Sequence, residues 1–155
     1  MTLNDPAATR LRLDAQRITL AADAAAEVVL AVSVHGIASR FFRHDPPTPF
    51  ELEQAIDAVE DALTGSRLQH AESGELVAND PLLREWVTTD SPHGEMLRLT
   101  CDEVEATFQR LASVSLGHPR ALAGLPTGRD AAAALLILRE CMHHLGYGGI
   151  RFAAH

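Results

Sequence analysis

Residues 27–35 read Glu-Val-Val-Leu-Ala-Val-Ser-Val-His, and Gly36 follows. Val28, Leu30, Val32 and Val34 fall on one side of an extended chain, with Glu27, Val29, Ala31, Ser33 and His35 on the other. That two-residue period belongs to a half-buried strand. It predicts a strand over 27–35 that delivers His35 to its carboxyl end. Upstream, Leu11 and Leu13, then Ile18 and Leu20, alternate with Arg10, Arg12, Arg17 and Thr19, which predicts two further strands in a meander. The run Ala21 to Ala26 has helical propensity, but the alternation on either side of it favours strands. Residues 1–8 are expected to form a loose tail.

Downstream of Gly36 the period changes. Ile37, Ala38, Phe41 and Phe42 suit a short helix that stops at Asp45-Pro46-Pro47, because a proline disfavours helix in the residue before it. Thr48 as N-cap, Pro49 at the first helical position and Glu51 three residues after the cap form a capping box. Leu52, Ile56, Val59 and Leu63 continue it as one stripe of a helix over 49–64, and Gly65 is the expected stop. Residues 66–79 read as irregular and polar, Asp80-Pro81 opens a short helix through Trp86, and residues 95–99 read as a strand with Leu97 and Leu99 inward. Thr100 and Glu103 repeat the capping box, with Val104, Phe108 and Leu111 on the inner face of their helix and Gly117 closing it. A glycine- and proline-rich loop leads to a last helix from about Asp130 to Leu145, stopped by Gly146, and to an apolar segment near Ile150 and Phe152.

These elements define an α+β chain: a small N-terminal antiparallel or mixed sheet packed against four to five amphipathic helices. At 155 residues it fits one globular domain, able to bury roughly two thirds of its extended surface. Aromatic residues make up only 5%, so Ala, Val and Leu must fill the core.

Composition excludes several chemistries. All thirteen basic positions, from Arg10 to Arg151, are arginine, and no lysine is present. Schiff-base enzymes, pyridoxal phosphate sites and lysine-dependent phosphate loops need an amine this chain cannot supply. A formal charge of -8 repels a phosphate backbone and an anionic membrane surface, so neither nucleic acid nor membrane is an expected partner. Cys101 and Cys141 form no disulfide frame, and residues 1–16 lack the apolar stretch of a signal peptide; the expected compartment is the cytoplasm. No Gly-x-Ser-x-Gly, Gly-x-Gly-x-x-Gly or His-Glu-x-x-His motif occurs, and the sequence names no cofactor.

Candidate positions follow from residue chemistry. His35, at a strand end before a glycine and a helix, is the candidate catalytic residue, since imidazole titrates near neutrality and strand carboxyl ends face ligand crevices in open sheets. Arg40, Arg43 and His44 after it, with His118, Arg120 and Arg129 before the last helix, are candidate anion-binding groups, because a guanidinium matches carboxylate or phosphate oxygens with two hydrogen bonds. Their other expected role is intramolecular pairing with the acidic helix 49–64. Glu140 and His143 have one half of a two-metal carboxylate motif, but the second half is missing and both are expected at a solvated helix end, so no metal is expected. Cys101, at a helix start, has Asp102, Glu103 and Glu105 against its ionisation; Cys141 reads as core.

The leading expectation is a non-catalytic binding or interaction module that self-associates as a homo-oligomer. The alternative is a small hydrolase or lyase acting on an anionic small molecule, phosphorylated ones included, with His35 as general base, Arg40 and Arg43 holding the anion, and His93, Glu95 or His143 contributing. A third expectation is assembly through the acidic helix 49–64 and arginines of another chain.

Overall fold

The computed structural model describes residues 8–14, 16–22, 27–68, 74–87, 97–118 and 124–152. Three short strands come first, β1 (Thr9–Leu13), β2 (Ile18–Ala22) and β3 (Val28–Val29), followed by helices α1 (Val34–Phe41) and α2 (Pro49–Ser66). Then come β4 (Glu75–Ala78), α3 (Pro81–Arg84), β5 (Leu97–Thr100), α4 (Cys101–Ser115), α5 (Arg129–Leu145) and β6 (Gly149–Phe152). The six strands form one mixed sheet in the order β3-β2-β1-β4-β6-β5. The pairs β1–β2, β2–β3 and β5–β6 are antiparallel, whereas β4 lies between β1 and β6 and is parallel to both. The α+β class read from the sequence is the observed one.

Alternation sets the two faces of the sheet. Leu11, Leu13, Ile18, Leu20, Leu76, Ile150 and Phe152 are buried in one core with the inner residues of the helices. Their neighbours Arg10, Arg12, Val77, Arg98 and Arg151 face away from it. Helix α5 is the hub: residues Ala131 to Leu138 are all buried, and the alanines let α1, α2 and α4 approach closely. The indole of Trp86 donates to the Ala131 carbonyl at 2.9 Å, tying α3 to the same helix. Both capping boxes form as read, Thr48 with Glu51 and Thr100 with Glu103.

Several expectations are corrected. The strand read over 27–35 is extended in the ladder only at Val28 and Val29, with one more bond from Leu30 N–H to the Ile18 carbonyl. Ser33 then caps a helix that starts at Val34, its hydroxyl accepting the Gly36 N–H at 3.0 Å. His35 is therefore in the first turn of α1, not at a strand end. Local capping by serine outcompetes a valine alternation that continues past the sheet edge. Arg43 and His44 follow the C-cap Phe42 and are outside the helix. Helix α2 continues through Gly65 to Ser66, and Arg67 takes the left-handed turn at φ 59°. The stretch read as irregular holds β4, a central strand. Glu140 is buried, not solvated, because α5 is covered on several sides.

Candidate functional site

At the carboxyl ends of the adjacent parallel strands β1 and β4 an open cleft of about 540 Å³ is lined by Arg12, Leu13, Asp14, Arg17, Thr19, Glu27 and Asp80. The sequence builds it from two strand ends. β1 runs Leu-Arg-Leu, alternately buried and exposed, and its last residue hands the chain to Asp14 and a turn in which the Asp14 and Arg17 backbones bond each other. β4 runs Glu-Leu-Val-Ala and hands it to Asn79 and Asp80, the N-cap residue of α3. From these neighbouring ends the chain leaves in different directions, to β2 on one side and to α3 on the other. The crevice outside strand carboxyl ends is where open α/β sheets hold their ligands.

Asp80 is the distinctive group. Burial raises its carboxyl above the ordinary range, only partly opposed by a hydrogen bond from the Leu13 backbone and by the Arg12 charge. Its Oδ2 is buried with no hydrogen-bond partner among the described residues. Arg12 and Arg17 are exposed and supply two guanidinium groups beside it, and Asp14 is exposed at the same wall. An acid whose proton burial helps to hold, a second acid and two planar cations form a set able to bind a phosphoryl group and move protons at it.

The residues singled out from the sequence lie elsewhere. His35 is exposed on α1 and lines neither this cleft nor a second one of about 270 Å³, whose wall includes Arg40, Ser33, Gly36 and Phe41. The Arg40 guanidinium lies over the Phe41 ring, 5.3 Å from its centre. Arg43, His44 and Arg129 do come together. The buried Glu51 carboxylate accepts the Arg43 backbone N–H at 2.9 Å and contacts His44 Nδ1 at 3.2 Å, while Arg129 donates to the Arg43 carbonyl at 3.2 Å. That is intramolecular pairing with α2, through backbone and imidazole contacts to Glu51 in place of the expected guanidinium bridges. His118 is exposed after α4; Arg120, His93 and Glu95 lie outside the described residues.

Two further clusters complete the picture. Arg139 joins Glu105 (2.8 Å) and Glu140 (2.6 Å) and sits 4.6 Å from the centre of the Phe108 ring. Burial raises the Glu140 carboxyl, and Arg139 acts against it. Burial, Asp102 and Glu105 push the Cys101 thiol up; Cys141 is fully buried and pushed up to about 12. Neither thiol is an activated nucleophile. No group of three or more His, Cys, Asp or Glu among the described residues is placed to hold a metal ion, and no described helix is long and apolar enough to cross a membrane.

Sequence reasoning missed Arg12, Asp14, Arg17 and Asp80 as a set. The available signal was an acid within two residues of the end of each of two short strands, Leu11-Arg12-Leu13-Asp14 and Leu76-Val77-Ala78-Asn79-Asp80. Only recognition of β4 brings the two together.

No family model and no curated protein matches the sequence. Solved structures match in fold. A Ppx/GppA phosphatase from Aquifex aeolicus superposes with a TM-score of 0.74 at 11% identity, over 96% of this chain and 53% of that one. An exopolyphosphatase-like protein gives a TM-score of 0.67 at 10% identity, over 100% of this chain and 57% of that one. An exopolyphosphatase from Cytophaga hutchinsonii gives 0.60 at 8%, over 98% and 54%. The chain thus has the fold of Ppx/GppA-type domains and spans about half the length of the solved proteins it matches.

Proposed function

We propose that this chain is a phosphohydrolase domain that holds a phosphorylated small molecule in the cleft between the β1 and β4 ends. The observation that carries this reading is the cleft wall at the β1 and β4 ends: the Asp80 carboxyl, raised by burial and with one oxygen unpartnered among the described residues, beside Arg12 and Arg17. The fold shared with phosphatases supports it by analogy. It favours the hydrolase alternative over the non-catalytic module, and it moves the chemistry from His35, which lines neither cleft, to Asp80.

In this reading Arg12 and Arg17 grip the non-bridging phosphoryl oxygens and spread the charge that builds on them. A water oxygen forms the new bond to phosphorus as the bond to the leaving oxygen breaks. Asp14 takes the water's proton, and Asp80 gives its own to the leaving oxygen; solvent then returns both carboxyls to their starting states. With two cations against three acidic groups in the wall, the anion binds best while Asp80 keeps its proton. Phosphate release from nucleoside phosphates and from inorganic polyphosphate tests the reading. Release by the parent chain, lost in Asp80→Asn and kept in His35→Gln, is the expected result. Release that persists in Asp80→Asn overturns it.

A further inference from the structure

The sheet face turned away from the helices carries an ordered line of positive charge. The register places Arg10, Val77, Arg151 and Arg98 in one row across β1, β4, β6 and β5. With neighbouring strands ~4.8 Å apart, Arg10 and Arg98 are about 14 Å from each other along that row. Glu75, two residues before Val77 on the same face of β4, accepts from Arg98 Nε at 2.7 Å and pairs with Arg151 Nε at 2.8 Å. Arg98 can lie flat to reach it because Gly149 separates them: a Cβ there would sit 3.3 Å from the Arg98 guanidinium. Three guanidinium groups against one carboxylate leave the row basic.

Among the described residues this face is exposed at Arg10 and Arg98 and half-buried at Val77 and Arg151. The central strands β1, β4 and β6 are mutually parallel, and parallel strands are ordinarily packed on both faces. Among the described residues the helices share a single core with the opposite face alone.

The same chain carries the complement. On the outer side of α2, Glu53, Asp57 and Asp61 are exposed, and none forms an ion pair with a described arginine. At 1.5 Å per residue they extend about 12 Å along the helix. They point away from Leu52, Val59 and Leu63, which are buried in the core.

We propose that copies of this chain associate by laying the acidic face of α2 of one copy across the arginine row of the sheet of the next. The two surfaces are opposite in sign and closely matched in length. A net charge of -8 opposes every pairing of acidic face with acidic face, which leaves the basic sheet face as the favourable docking surface. Because the two surfaces differ, the contact is head-to-tail and generates a ring or an open chain. The proposal is independent of the hydrolase reading.

Sedimentation velocity on the full chain tests it. At low ionic strength the chain should associate with rising concentration; at about 1 M salt, where screening acts over about 3 Å, it should sediment as a monomer. R10E/R98E and D57R/D61R should each be monomeric with an unchanged circular dichroism spectrum. Mixing them should restore association, because an acidic sheet face then meets a basic helix. Arg10→Glu alone, at an exposed position, gives a smaller loss and serves if reversal at Arg98 perturbs the sheet. A monomeric parent at low salt overturns the proposal, as does association that ignores both reversals. Loss in R10E/R98E with none in D57R/D61R also overturns it, since the sheet face then takes a different partner.

Discussion

Glu51 and Asp80 are both acids withdrawn from water beside the N-terminus of a helix, and the fold treats them in opposite ways. At Glu51 burial alone would raise the carboxyl, but hydrogen bonds from the Thr48 and Arg43 backbones and from His44 lower it to about 2. Both its oxygens are occupied: Oε1 accepts the Thr48 N–H at 2.9 Å and Oε2 the Arg43 N–H and His44. At Asp80 burial outweighs the bond from Leu13 and the Arg12 charge, and one oxygen is left without a partner. A satisfied carboxylate locks a loop onto a helix. An unsatisfied one in a cleft is a candidate for contact with a ligand.

The contrast predicts different consequences of the same chemical change. Asp80→Asn should lower phosphate release at least ~100-fold, the usual scale for losing a positioned acid. It should not lower the melting temperature at pH 7. The fold favours the protonated form of Asp80, so its contribution to stability is full below the ordinary carboxylate range and is lost as pH rises through the raised value; an amide mimics the favoured form. Marked unfolding of Asp80→Asn at neutral pH would place Asp80 with Glu51 as a structural acid. Next in size, Arg17→Ala should weaken pyrophosphate binding about 10-fold or more, the effect of one lost charged hydrogen bond, read by calorimetric titration. Glu51→Gln should cost about 1–3 kcal/mol in urea unfolding, the scale of a lost cap and buried bonds, without touching phosphate release. Its folded value is depressed, so the stability it brings is present above pH 5 or so and is lost as pH falls from the ordinary 4.5 toward about 2. Urea midpoints across that window should fall in the parent chain and stay flatter in Glu51→Gln. The smallest effect is Ser33→Ala, about 1 kcal/mol from the lost cap of α1; no change there would contradict a helix that begins at Val34.

The sequence made the Glu51 region legible and hid the Asp80 region, for a physical reason. Capping boxes and helical stripes are local: Thr48, Pro49, Glu51 and the Leu52-to-Leu63 stripe lie within four turns, and each residue reinforces the others. The strands β1 and β2 were equally readable from alternation. β4 has four residues, and what makes it a strand is pairing with β1 and β6, which are distant along the chain. Missing it removed one wall of the cleft, so the carboxyl-end rule was applied to His35, on a stretch that Ser33 turns into helix. The anion-binding candidates fared unevenly for the same reason: the Arg43 backbone and His44 meet on the Glu51 carboxylate and Arg129 on the Arg43 carbonyl, instead of on a shared cavity.

Where a phosphoryl anion settles on the chain separates the Asp80 cleft from the Glu51 region most directly. Amide NMR spectra of the full chain, titrated with inorganic pyrophosphate, should show saturable shifts gathered at residues 12–14, 17–19, 27 and 80; these should persist in Asp80→Asn and need about 10-fold more pyrophosphate in Arg17→Ala. Shifts centred on residues 40–44 and 129, or no saturable shift at any amide, would contradict binding in the Asp80 cleft.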